Sequence, residues 1–125
     1  MKILIVDDSE AVRRMIASFL DDLVDEFVEC GDGTWALAAY AVHHPDVVLM
    51  DIKMNAVDGF QATAEIKKAF PGARVVIVSQ WDTTELRVLA SESGAEGYVS
   101  KANLQPLREF IESESKNEVE IGGGS

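Results

Sequence analysis

Three short runs, residues 3–6, 47–50 and 75–78, are apolar at every position. Continuous, mostly β-branched runs of this length read as strands buried on both faces. Residues 27–30 and 97–99 are weaker strand candidates, and their polar or glycine content suits the edges of a sheet. Between the runs the spacing turns helical. Val12, Met15, Ile16, Phe19 and Leu20 form one stripe, and Leu37, Ala38, Ala41 and Val42 form a second that ends before Pro45. The pattern predicts further helices over residues 59–70, closed by Pro71-Gly72, and over residues 82–93, closed by Gly94. Asn103 can cap a fifth, with Pro106 tolerated in its first turn.

Strand and helix therefore alternate five times, the signature of a parallel sheet covered on both faces. With strong strands in the middle and weak ones outside, the expected fold is a flavodoxin-like, doubly wound α/β domain. It has five parallel strands in the order 2-1-3-4-5, flanked by five helices. Such a fold gathers its chemistry beyond the carboxyl ends of the strands. Here the first strand is followed by Asp7-Asp8, the third by Asp51, the fourth by Ser79 and the fifth by Ser100-Lys101. Any one of these is ordinary, since Asp and Ser commonly cap helices or turn the chain. Their joint placement on one edge is not ordinary. Three crowded carboxylates call for a compensating cation, and hard oxygen ligands suit Mg²⁺ or Mn²⁺. A carboxylate beside such an ion can attack a phosphoryl group, with Lys101 and Ser79 meeting the developing charge.

Composition narrows the choice. The 125 residues suit one domain, and 47% hydrophobic content is enough for one core. Twenty-two acidic against 11 basic side chains, a net charge of −11, excludes direct binding of nucleic acid or an anionic membrane. A single cysteine, Cys30, permits no internal disulfide or cysteine zinc cluster. The apolar runs are too short to span a bilayer, the N-terminus shows no signal-like segment, and a cytoplasmic location is expected. His43-His44 reads as a helix end and not a metal site, because adjacent helical residues do not share a face. Residues 112–125 are acidic and then glycine-rich, which suggests a linker or cloning remnant outside a domain spanning 1–111.

From residue 2 to about residue 111 the sequence resembles the receiver domains of two-component response regulators. The marks are Asp7-Asp8-Ser9, the stretch from Pro45 to Met54 centred on Asp51, Asp58-Gly59, Val78-Ser79, Gly94 to Tyr98, and Ser100-Lys101. The resemblance implies that Asp51 accepts a phosphoryl group from a histidine kinase or phosphotransfer protein. It further implies that Asp8, Asp51 and the backbone carbonyl of Lys53 hold Mg²⁺, with Asp7 acting through a water. Lys101 would pair with the phosphoryl group, and Ser79 and Tyr98 would form the conformational switch. In that family the positions of Lys53 and Trp81 tune the lifetime of the phosphorylated state, and Trp81 reads equally well as packing on the fourth helix. The implied partners are the kinase, an output domain or effector protein, and a second copy in a phosphorylation-dependent homodimer.

The sequence departs from the family at three points. Asn55 stands where proline is usual, Gln80 follows Ser79 where a small residue is common, and Ala102 follows Lys101 in place of proline. A trans peptide is therefore expected after Lys101. The Lys101–Leu104 stretch resembles the subfamily whose receivers precede a helix-turn-helix DNA-binding domain. Two rivals are weighed against this: a metal-dependent phosphohydrolase working through an aspartyl-phosphate, and an interaction module independent of phosphorylation. The phosphohydrolase usually needs a carboxylate two residues after its nucleophile, where this chain has Lys53.

Overall fold

The computed structural model describes residues 1–54 and 57–123, with side chains described as far as residue 115. Five strands, β1 (Lys2–Val6), β2 (Glu26–Cys30), β3 (Val47–Met50), β4 (Val75–Ser79) and β5 (Gly97–Ser100), alternate with five helices. These are α1 (Glu10–Leu20), α2 (Ala36–His43), α3 (Gly59–Ala69), α4 (Thr84–Ser93) and α5 (Gln105–Gly123). All strand pairs are parallel and the order is β2-β1-β3-β4-β5, as the alternation predicts. Residues of β3 and β4, and of β1 after Lys2, are buried throughout, whereas β2 and β5 are partly exposed edges.

Alternate strand residues feed two cores. Leu4, Val6, Val48, Met50 and Ile77 pack under α2, α3 and α4, against Tyr40, Ala62, Ile66 and Ala90. Ile3, Ile5, Val47, Leu49, Val76 and Val78 pack under α1 and α5, against Ile16, Leu20, Leu107 and Ile111. The register sets Val6 beside Met50, Met50 beside Ile77, and Ile77 beside Tyr98. The residues after these positions consequently emerge along one edge.

Helix starts follow cap chemistry. Ser9, Asp58 and Thr83 each accept the backbone N–H three residues on, opening α1, α3 and α4. The fourth helix thus begins at Thr84, and Asp82, expected inside it, lies before the cap. Asn103 accepts the N–H of Gln105 at 3.2 Å, and Pro106 lies in the first turn of α5. The buried face of α2 differs from the expected stripe. Ala36 and Tyr40 are buried, while Ala38, Ala41 and Val42 face outward, Val42 at 73% exposure. This helix is apolar almost all round, so periodicity alone could not choose its inner face. It ends at His44 in a left-handed conformation (φ 47°), just before Pro45.

α5 continues unbroken to Gly123, past the point where the acidic tail begins in the sequence, and Arg74 pairs with Glu114. The described backbone has no cis peptide, so the bond after Lys101 is trans, as expected. Asn55 lies outside the described residues. Among the described residues no helix is long and apolar enough to cross a membrane.

Candidate functional site

Asp7 and Asp51 each stand one residue past a central strand, so the sheet itself aims them at the same space. Both are nearly buried, at 2% and 7% exposure. Asp51 is held by its own N–H, which donates to the Val6 carbonyl at 2.8 Å, and by the Ile52 N–H, which reaches its Oδ1 at 2.9 Å. The Ser9 N–H donates to Asp7 Oδ1 at 2.9 Å, and Arg13 binds the Asp7 carbonyl at 2.7 Å. Asp8 is exposed at the mouth, and carboxylate oxygens of Asp7, Asp8 and Asp51 lie within 4.8 Å of one another.

Lys101 enters from the end of β5. Its Nζ lies 2.7 Å from Asp7 Oδ2 and 3.2 Å from Asp51 Oδ1, bridging the two buried carboxylates. Burial lifts the Asp51 carboxyl above its ordinary pKa and the Asp7 charge adds to this, with Lys101 and the Ile52 N–H offsetting only part. Burial alone would lower Lys101, but the two carboxylates outweigh it and hold the ammonium above its usual value. Lys101 is the ammonium paired with the carboxylate cluster, and the three carboxylates that could hold a metal ion offer only oxygen ligands. That donor set fits a hard divalent ion.

A cavity of about 320 Å³ opens over the cluster, lined by Asp7, Asp8, Asp51, Lys53, Trp81 and Lys101 among others. The Lys53 ammonium lies 4.9 Å from the centre of the Trp81 ring, so the two side chains meet at the rim. Two residues named from the sequence stand apart from this lining. Ser79 is buried at the end of β4, where its hydroxyl accepts the Trp81 N–H at 3.0 Å. Tyr98 lies near the start of β5 and donates its hydroxyl to the Trp81 carbonyl at 2.5 Å. The peptide groups of Trp81 thus join the two, a link that no side-chain pattern announces. Gly59 and Arg13 also shape the site through backbone contacts. Cys30 is buried with its thiol toward the Asp32 carbonyl, and His43 and His44 join no metal-binding group among the described residues.

An open parallel sheet with an acidic, lysine-bridged pocket at its switch point defines a doubly wound α/β domain fitted to a divalent cation. The chain belongs to the response regulator receiver domain family, whose profile matches residues 3–112. It is 34% identical to the chemotaxis protein CheY of Halobacterium salinarum over 84% of this chain and 88% of that protein. It is 35% identical to the response regulator protein VraR of Staphylococcus epidermidis, over 97% of this chain but only 61% of VraR. The crystal structure of a CheY-like receiver domain protein from Methanospirillum hungatei matches with a TM-score of 0.83 at 25% identity. That match covers 96% of this chain and 97% of the other. The protein is thus a receiver domain of two-component signalling, a family in which phosphorylation and Mg²⁺ binding at an acidic pocket are shared features.

Proposed function

We propose that this domain accepts a phosphoryl group on Asp51 from a histidine kinase or phosphotransfer protein, acting in the cytoplasm. The observation that carries this is the Lys101 ammonium spanning Asp7 and Asp51 at 2.7 and 3.2 Å, with Asp8 in the same cluster. A carboxylate oxygen of Asp51 attacks phosphorus, a P–O bond forms, and the P–N bond of the donor phosphohistidine breaks. The imidazole leaves and takes up a proton. Lys101 is held by Asp7 and pairs with the incoming equatorial oxygens, while Ser79 moves from its present contact with the Trp81 N–H to donate its hydroxyl to one of them.

Asp8, Asp51 and the Lys53 carbonyl, with Asp7 through a water, would hold Mg²⁺ or Mn²⁺. When bound, the ion supplies positive charge to the carboxylates and to the phosphoryl oxygens. Lys53 and Trp81 cover the rim and slow the approach of water to the acyl phosphate. Added phosphoryl charge draws on Ser79, and through the Trp81 peptide it reaches Tyr98 and the α4–β5 surface. An output domain or effector reads that change. The chain spans only 61% of VraR, and a DNA-binding output would be a domain separate from this acidic receiver. The phosphohydrolase alternative is disfavoured, since the residue two past Asp51 presents an ammonium against Trp81 and no carboxylate.

The test is transfer of labelled phosphoryl from a phosphorylated donor with Mg²⁺. Wild type should take up acid-stable, base-labile label, and Asp51→Asn should take up none while remaining folded. Normal labelling of that variant would overturn the assignment.

A further inference from the structure

Arg87 lies outside the acidic pocket, yet it holds Tyr98. Its guanidinium carbon stands 5.0 Å from the centre of the Tyr98 ring. Its Nε and Nη2 donate to the two carboxylate oxygens of Asp82 at 2.7 and 3.0 Å. A forked pair of this kind fixes the plane and position of the guanidinium, and a cation set over an aromatic face attracts it. Tyr98 is accordingly held at two points, its hydroxyl by the Trp81 carbonyl and its ring by Arg87.

Both holds lead back to the same few residues. The Trp81 N–H is bound to Ser79 Oγ, its carbonyl receives Tyr98, and Asp82, the next residue, anchors Arg87. A crevice of about 180 Å³ between α4 and β5, lined in part by Arg87, Ala90, Ala95 and Tyr98, borders the ring. The ring therefore borders open space, and its anchors decide how readily it leaves the position it holds.

We propose that Asp82 and Arg87 are positioning residues for Tyr98 and set how strongly a change at the phosphoryl site is transmitted to α4 and β5. This rests on the phosphoacceptor reading of the pocket. A clamp that contacts one ring position more than the other must alter the affinity for any ligand that shifts the ring, and need not alter binding of the metal alone.

The experiment uses protein labelled with 3-fluorotyrosine, which carries two signals because the chain has two tyrosines, Tyr40 and Tyr98. Mg²⁺ and then beryllofluoride are titrated into wild type, Asp82→Asn, Arg87→Gln, the double variant and Arg87→Lys. In wild type, beryllofluoride should move the Tyr98 signal. Asp82→Asn and Arg87→Gln should each displace that signal and leave Tyr40 in place. Each should change beryllofluoride affinity in the same direction by about threefold, the size of an exposed cation–π contact, with Mg²⁺ affinity unchanged. The double variant should match either single one, and Arg87→Lys, which keeps a cation but loses the fork, should fall between. Unchanged Tyr98 signals and beryllofluoride affinities in the variants, beside a responsive wild type, would overturn the clamp alone. A wild type that binds no beryllofluoride overturns the phosphoacceptor reading and the clamp with it.

Discussion

A β-carbon on Gly59 would lie 1.9 Å from the carbonyl oxygen of Asp51, far inside contact distance. The first residue of α3 is pressed against the backbone that leaves β3, and the Gly59 N–H donates to the Ile52 carbonyl at 2.8 Å. Gly59→Ala must therefore push the helix start away from the Asp51 loop. Urea unfolding should show a loss of about 3 kcal/mol, at the upper end for an overpacked site, together with weaker Mg²⁺ binding. Gly72→Ala is the control, because nothing lies within 4 Å of its added carbon. It should be neutral in both measurements.

Lys101 pairs with oxygens of Asp7 and Asp51, so an ion held by the same cluster would have to share them with its ammonium. Lys101→Met keeps the apolar stem and removes the charge, leaving two nearly buried carboxylates without their cation. Metal-free protein should lose about 3 kcal/mol of stability. Mg²⁺ should bind this variant more tightly than wild type and restore much of the loss. Thermal unfolding with and without Mg²⁺ checks both halves, and unchanged Mg²⁺ affinity would argue against a shared site.

The raised Asp51 pKa has a sign that can be tested. Burial and the Asp7 charge make the folded protein hold an Asp51 proton more tightly than the unfolded chain, whose ordinary value is 3.8. The ionised carboxylate therefore costs stability at every pH above its folded pKa. That cost fades as pH falls through the folded value and is gone below the unfolded one. Metal-free Asp51→Asn should be more stable than wild type at neutral pH, and the gain should vanish toward pH 4. Saturating Mg²⁺ at neutral pH should reverse the order. A gain that grows on acidification would contradict the burial geometry.

These expectations divide between what side-chain pattern announces and what only packing reveals. The runs at 3–6, 47–50 and 75–78 exposed the sheet because strands buried on both faces have no polar positions to confuse the period. Asp7, Asp8, Asp51 and Lys101 were legible as a cluster because strand ends in a parallel sheet share one edge. The inner face of α2 was not legible, since Ala38, Ala41 and Val42 are as apolar as the residues that are buried. The hydrogen bonds of the Trp81 peptide were hidden for a different reason: every non-proline residue carries the same N–H and carbonyl, and only the loop path decides what they meet.

The Lys53–Trp81 contact at the rim predicts a kinetic effect. With Lys53 4.9 Å from the indole centre, removing either partner should loosen the cover over Asp51. Lys53→Ala and Trp81→Ala should each speed loss of the acyl phosphate by about fivefold, equivalent to about 1 kcal/mol. The double variant should lose phosphoryl no faster than the faster single one, because the two act as one contact. Decay of labelled protein measures all three rates, and fully multiplicative effects would show that the side chains work separately.

Arg74 ties the lower end of the sheet to the far part of α5. It stands before β4, donates to both Glu96 oxygens at 2.8 and 3.0 Å, and pairs with Glu114, while its guanidinium lies 5.2 Å from the Phe110 ring centre. Glu96 and Glu114 together keep the Arg74 pKa above its already high ordinary value. Ending the chain after residue 111 keeps Phe110 and the buried Leu107 and Ile111 but deletes Glu114. Partly exposed ion pairs contribute little, so truncation should cost about 1 kcal/mol, and high salt should shrink the difference. Glu114→Gln should reproduce most of that loss in the full-length chain. If truncation costs several kcal/mol and Glu114→Gln costs nothing, the helix beyond 111 stabilises the fold by contacts other than this pair. If neither change is felt, the domain is energetically complete at 111 and the remaining helix is free to serve as a connector.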